Sequence, residues 1–312
     1  GNRAATTQTT ERPVEIQWLK AFLAIAEQGS VSEAAEQLHL TQPAVSKRLA
    51  ALEQQLDTAL FDRIGRRLQL TDAGRALLPR ARHILNEVSD AERELRALGG
   101  QVTGSLRIAT SHHVGLHHLP PVLKEFSARY PDVALDIDFV DSEQAYEALM
   151  AGEYELAVVT LALKDYPSLD ARIIWPDPCV VVAAPDHPLA KMSALDLADL
   201  ARYPAILPDL NTYTGRLIKR EFDAQGLKLT AKLATNFLET IKMMAGVGLG
   251  WSVLPRTLVD ESLAVLPVEK LNILRNLGVI SHRARTLSNA ASALQQLLLA
   301  AANKKPATDA KH

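Results

Sequence analysis

The chain has 312 residues, 47% hydrophobic and 22% charged, with a formal net charge of −2. That length points to two or three domains, and the composition is that of an ordinary globular protein. No apolar run of about 18 residues is present to span a bilayer, and the polar start GNRAATTQTTERP lacks the apolar core of a secretory signal.

The single cysteine, Cys179, excludes an internal disulfide framework, and its apolar neighbours mark it as a small core residue. These features together lead to an expectation of a cytoplasmic protein. Residues 1–14 are expected to form a disordered arm and 303–312 a disordered tail.

Trp18, Leu19, Phe22, Leu23 and Ile25 recur at helical spacing and predict a first helix ending at Gly29. Ser30-Val-Ser-Glu33 is a capping-box pattern that starts a second helix. After the break at His39-Leu40, Thr41 caps a third helix, with Pro43 tolerated in its first turn. Val45, Leu49, Leu52 and Leu56 form its apolar stripe. Two short helices joined by a three-residue turn have helix-turn-helix geometry.

The overall charge is acidic, but the cations are placed unevenly. Residues 41–70 hold five bases (Lys47, Arg48, Arg63, Arg66, Arg67) against three acids (Glu53, Asp57, Asp62). Arg63 to Leu70, with a glycine turn, reads as a short β-hairpin wing. The expected double-stranded-DNA contacts are Ser30, Ser32, Thr41, Gln42, Pro43, Ala44, Ser46, Lys47, Arg48, Arg63, Arg66 and Arg67. The bland alternative is a three-helix bundle with a solvated charged face.

The motif Gly29-Ser30-x-Ser-x-Ala34-Ala35-x-x-Leu38-x-Leu40-x-Gln42-Pro43-Ala44-Val45-Ser46-x-x-Leu49-x-x-Leu52-Glu53, with Leu60-Phe61-x-Arg63 and Leu70-Thr71-x-Ala73-Gly74, resembles the signature of LysR-type transcriptional regulators. The resemblance covers about residues 15–302. It implies an N-terminal winged helix-turn-helix (α), a long linker helix and a two-lobed, periplasmic-binding-protein-like α/β effector domain, in a homotetramer. A small-molecule effector and no cofactor are expected, with no membrane partner. RNA polymerase joins the partners of an activator.

From Thr71 to about Leu98 the chain predicts a long helix. Leu77, Ala81, Ile84, Val88, Ala91, Leu95 and Leu98 are spaced 4, 3, 4, 3, 4, 3. This narrow seam predicts a partner helix, hence a dimer reading two half-sites of a pseudo-palindrome. Gly99-Gly100 then supplies a joint. The domains are therefore 15–72, 73–100 and 101–302, with lobe 1 at about 104–173 and 277–302 and lobe 2 at about 174–276.

Beyond Ser105, apolar strands at 105–110, 133–140 and 156–161 alternate with helices around 117–129 and 143–151. Strands at 179–184, 205–207, 229–235 and 249–254 form a second group, with helices around 214–225 and 237–246. A final helix lies near 286–302. Two such lobes enclose a cleft at the strand carboxyl ends. The residues placed there are Thr110, Ser111, His112, His113, Thr160, Thr212, Thr214 and Asn236. Hydroxyls and helix N-termini with few cations suit a small anion or zwitterion.

Within the family this half looks most like the cysteine-regulon (CysB-like) branch, through Ile108-Ala-Thr-Ser-His112, Leu156-Ala-Val-Val-Thr160, Pro185-Asp-His-Pro-Leu189, Thr214-Gly-Arg216 and Ile241-Lys242. The resemblance implies that Ser111, Thr160 and Thr214 hold a sulfate-like anion or sulfur-pathway metabolite. His113 and Val114 depart from the branch, and a histidine there would favour an anion or make binding pH-sensitive.

His112-His113-x-x-x-His117-His118 has no acidic or thiol ligand in the same segment, and two of the four face away on one helix. No metal is expected there. No catalytic residue is expected either: G-x-S-x-G, P-loop and H-E-x-x-H motifs are absent, and Gly246-x-Gly248-x-Gly250 precedes a strand instead of following one. The alternatives are a family member answering another ligand or oxidative stress, a cytoplasmic solute-binding protein, and a constitutive nucleoid-type DNA binder, which the acidic balance disfavours.

Overall fold

A computed structural model describes residues 13–64, 67–97, 100–269 and 271–303. The expected arm, tail and joint fall largely outside these residues, as do Arg66 and Leu98. The chain divides into two compact units, one through Glu92 and one from Arg93 onward.

The first unit packs α1 (Ile16–Gln28), α2 (Val31–Gln37) and α3 (Gln42–Leu56) beside a hairpin of β1 (Phe61–Ile64) and β2 (Arg67–Leu70). α1 stops at Gly29, whose φ of 68° is left-handed and whose N–H closes on Ile25 O. Ser30 Oγ accepts from Glu33 N at 3.5 Å, and Thr41 Oγ1 accepts from Ala44 N at 3.4 Å. Between α2 and α3, His39 takes a left-handed φ of 53°.

The helices meet through small side chains: Ala21, Ala24, Ala34 and Ala35 are buried with Ile25 and Val45. Leu68 N donates to Gly29 O at 3.0 Å, which fixes the wing to the end of α1. α4 (Asp72–Ala97) follows, with Pro79 inside it.

The second unit begins with β3 (Gly104–Thr110), α5 (His112–His117), α6 (Pro120–Arg129), β4 (Val133–Phe139), α7 (Ser142–Met150) and β5 (Leu156–Thr160). The helix expected around 117–129 forms as α6, starting at Pro120 where no N–H is needed, and a separate short helix, α5, precedes it. β6 (Leu169–Ala183) then runs through Pro176 and Pro178 as one strand.

α8 (Leu197–Ala201), β7 (Ala205–Leu207), α9 (Tyr213–Ala224), β8 (Ala231–Ala234), α10 (Leu238–Gly246), β9 (Ser252–Pro255) and β10 (Ala264–Val265) build the other lobe. β11 (Ile273–His282) returns, and α11 (Asn289–Asn303) ends the described chain.

β3 pairs in parallel with both β4 and β5, while β11 pairs antiparallel with β5 and β6. The sheet is therefore mixed where a parallel one was expected. β6 and β11 serve both lobes. Ile174 and Leu277 lie in the lobe 1 core, whereas Val181 and Ile273 lie in the lobe 2 core. Their register shifts at Leu277/Gly278. A Cβ on Gly278 would sit 2.1 Å from Arg172 O, so the two strands approach too closely there for a side chain.

Candidate functional site

The cleft lies where four helices begin. β3 ends at Thr110, and Ser111 precedes α5; Asp141 precedes α7, Thr212 precedes α9, and Phe237 precedes α10. Each start turns the positive end of a helix dipole toward the gap, although at α9 the Tyr213 and Gly215 N–H groups are already bonded within the protein. Ser111, His112, His113, Thr160, Thr212, Thr214 and Asn236 all line this pocket, as do Asp141, Ser142, Glu143, Tyr213 and Arg275. Its free space is about 60 Å³.

Of the residues expected in the cleft, Thr110 does not line it. Its hydroxyl is fully buried and donates to Val158 O at 2.7 Å, joining β3 to β5. Thr212 lines the cleft, but its hydroxyl is committed locally: it accepts from Gly215 N at 3.1 Å and donates to Asp209 O at 2.6 Å. Gly215 is required at this turn, since a Cβ would lie 2.1 Å from Asp209 O. Ser111 is different. It caps nothing, and its Oγ is buried without a hydrogen-bond partner.

The lobes are latched across the gap. Glu143 Oε1 of lobe 1 accepts from Tyr213 N of lobe 2 at 2.5 Å, placing a carboxylate on the α9 N-terminus. Asn236 Nδ2 donates to Asp141 Oδ2 at 2.8 Å, and His117 Nε2 lies 2.7 Å from Glu239 Oε1. Tyr213 packs against Tyr146, ring to edge, at 5.5 Å.

Beneath the pocket sits a buried ion pair that sequence reading missed. Arg275 and Asp177 face each other across β11 and β6, 3% and 1% exposed. Arg275 Nε donates to Asp177 Oδ2 at 3.0 Å, its NH2 group donates to the same oxygen, and NH1 donates to Thr214 Oγ1 at 3.3 Å. Thr214 is thus positioned by a guanidinium from the opposite strand system. A lone arginine inside the apolar run 273–280 was the available signal.

His113 is 5% exposed, with Asp177 Oδ2 3.7 Å from its Nε2. Burial, then the Arg275 charge, hold its pKa at about 2. Asp177 gives little counterweight, because its carboxylate already serves Arg275. The ring is neutral at physiological pH. That disfavours the expected anion-attracting or pH-sensitive role of this histidine. Burial also pushes the Cys179 thiol up to about 11, so it stays a protonated thiol.

In the first unit, Ser30, Ser32, Thr41, Gln42, Pro43, Ala44, Ser46, Lys47 and Arg48 gather along α2 and the start of α3. Gln42 Nε2 donates to Ser32 Oγ at 2.6 Å, fixing the start of α3 against α2. Thr41, Gln42, Ser46 and Lys47 are exposed, Arg48 is half-buried, and Arg63 and Arg67 are exposed on the two wing strands. The expected seam of α4 divides. Ala81 is fully buried with Leu19, Phe22, Leu52 and Leu60, and Leu77 packs on the same core. Ile84 and Leu95 are exposed, 43% and 70%. The seam's first turns therefore belong to the unit's own core, correcting the expectation of a partner along its whole length.

Residues 16–75 match the bacterial regulatory helix-turn-helix protein, lysR family, and residues 99–303 match the LysR substrate binding domain. The chain is 30% identical to the RuBisCO operon transcriptional regulator of Allochromatium vinosum over 93% of this chain and 97% of the relative. It is 33% identical to the transcriptional regulator CysB of Burkholderia cenocepacia over 80% of this chain and 81% of the relative. The CysB-like resemblance is thus one among several. Full-length OxyR C199D from Pseudomonas aeruginosa shares the fold, with a TM-score of 0.72, 20% identity, and coverage of 93% of this chain and 95% of that one. No helix among the described residues is long and apolar enough to cross a membrane. A winged helix-turn-helix followed by two lobes around a polar cleft agrees with both family matches over most of the chain, and the protein belongs to the LysR family of transcriptional regulators, which are not enzymes.

Proposed function

We propose that this regulator's promoter binding is switched by a small effector with an anionic group, held in the inter-lobe cleft of the second unit. The observation that carries this reading is Ser111 Oγ, buried and unpartnered among converging helix starts. A buried hydroxyl without a partner costs about 1–3 kcal/mol, which a ligand oxygen would recover. The Glu143 carboxylate on Tyr213 N is consistent with an α9 start that favours negative charge, although this N–H is already taken by the protein's own carboxylate. Asp141 and Glu143 beside it disfavour a bare dianion and favour a ligand that also carries hydroxyl or ammonium groups.

The resemblance to the CysB-like branch supports a sulfur-related effector, and the RuBisCO operon regulator's similarity supports a non-sulfur one. A thermal-shift screen of sulfate, sulfite, thiosulfate, O-acetylserine and N-acetylserine against phosphate and simple carboxylates separates them. Stabilisation by a sulfur compound, lost in Ser111→Ala and Thr160→Val, supports the sulfur reading. Stabilisation by the other set alone rejects it.

In this account Gln42, Ser46, Lys47 and Arg48 meet the major groove while Arg63 and Arg67 hold phosphates. Pairing of α4 through Ile84 and Leu95 makes the dimer, two dimers make the tetramer, and the protein acts in the cytoplasm. A redox trigger at Cys179 is disfavoured by its raised pKa.

A further inference from the structure

The histidines of α5 carry a second site. His113 is 5% exposed, and neither of its ring nitrogens has a hydrogen-bond partner. Native structures leave few buried polar groups this way, and each one asks what completes it. His117, one helical turn on, has its ring centroid 4.9 Å from that of His113. Its Nε2 lies 2.7 Å from Glu239 Oε1. One donor atom from each of His113, His117 and Glu239 falls within 4.8 Å of the others. Donors on a tetrahedral zinc, bound at about 2.0–2.1 Å, lie roughly 3.4 Å apart, so modest side-chain rotations close the set.

A second grouping, His113, His118 and Asp177, is equally compact. There Asp177 already neutralises buried Arg275, and a dication would press against that guanidinium at low dielectric. The first grouping is reachable from solvent, since His117 and Glu239 are 34% and 39% exposed. Its two imidazoles and one carboxylate match borderline transition dications and do not match hard ones.

We propose that His113, His117 and Glu239 bind a zinc-type dication at the mouth of the cleft, joining lobe 1 to lobe 2. Sequence alone argued against a metal because the segment lacks an acid and half of its histidines diverge. The acid comes instead from α10, 122 positions away, and only the i, i+4 pair is needed. The imidazoles stand on α5 and the carboxylate on α10, so a bound ion resists separation of the lobes. It also places positive charge beside the pocket that His113 lines, a consequence that rests on the cleft reading above, whereas the binding itself does not.

The test uses tag-free, chelator-stripped full-length protein titrated with Zn²⁺ by calorimetry and thermal melting, with Mg²⁺ as control. Zn²⁺ is expected to bind and raise the melting temperature, and Mg²⁺ to do neither. His117→Ala and Glu239→Gln each weaken zinc affinity at least ~10-fold, while the metal-free melt falls only slightly, by loss of the part-exposed His117–Glu239 contact. Equal zinc binding by a variant combining His117→Ala with Glu239→Gln, or equal stabilisation by Mg²⁺, overturns the proposal. So does loss of binding in His118→Ala with His117→Ala unaffected, which would assign the deeper grouping. Effector binding is measured in parallel on the metal-free protein, so failure of the cleft reading shows separately.

Discussion

Replacing Asp177 by Asn is a near-isosteric change that removes one charge from beneath the cleft. Arg275 is 3% exposed, and its Nε and NH2 group both donate to Asp177 Oδ2, so no solvent stands ready to replace the carboxylate. Breaking a buried pair from one side costs about 3–5 kcal/mol, since it leaves an uncompensated buried charge. A unit of roughly 150–250 residues loses ~2–4 °C of melting temperature per kcal/mol, so Asp177→Asn should fall by about 6–20 °C in scanning calorimetry. The paired change Asp177→Leu with Arg275→Met removes both charges and should recover most of that loss. A loss below about 1 kcal/mol in Asp177→Asn would refute the reasoning, showing the pair to be hydrated or mobile in solution.

Three other outcomes follow from the same geometry. Gly215→Ala puts a Cβ 2.1 Å from Asp209 O, so the turn before α9 must shift; effector-induced thermal stabilisation should disappear. Lys47→Ala should weaken operator binding and reduce the slope of log K against log salt by about 1, as read by fluorescence anisotropy across salt concentrations; an unchanged slope removes Lys47 from the interface. Ile84→Asp places a charge on the exposed part of α4 and should shift assembly toward monomer in analytical ultracentrifugation, whereas Ala81→Asp should instead unfold the first unit. Unchanged assembly in Ile84→Asp means that dimerisation uses another surface.

How legible each feature was depends on the span of chain that creates it. The helix-turn-helix is written in short-range chemistry: Gly29 ends α1, Ser30 caps α2, and Thr41 with Pro43 starts α3. The polar cleft residues were legible because strand-to-helix transitions are local too, which placed Ser111, Thr160, Thr214 and Asn236 on the pocket wall. Thr110 sits one residue too early, on the strand side of its transition, and its hydroxyl is spent on Val158 O.

What stayed hidden depends on partners far apart in sequence. Glu143 meets Tyr213 across 70 positions, Arg275 meets Asp177 across 98, and His117 meets Glu239 across 122. Asp177 also lies between Pro176 and Pro178, and the expected strand began only at Cys179, whereas β6 continues through both prolines. The α4 seam misled for a similar reason, since a heptad pattern reports an apolar face without saying whose core covers it.

The central claim is that occupancy of the cleft controls DNA binding. The measurement that tests it most directly is operator affinity with and without the stabilising effector, for wild type and for Ser111→Ala with Thr160→Val. The account predicts equal effector-free affinity in both proteins, and an effector-dependent change in affinity or footprint in the wild type alone. The same effector response in the variant would contradict it.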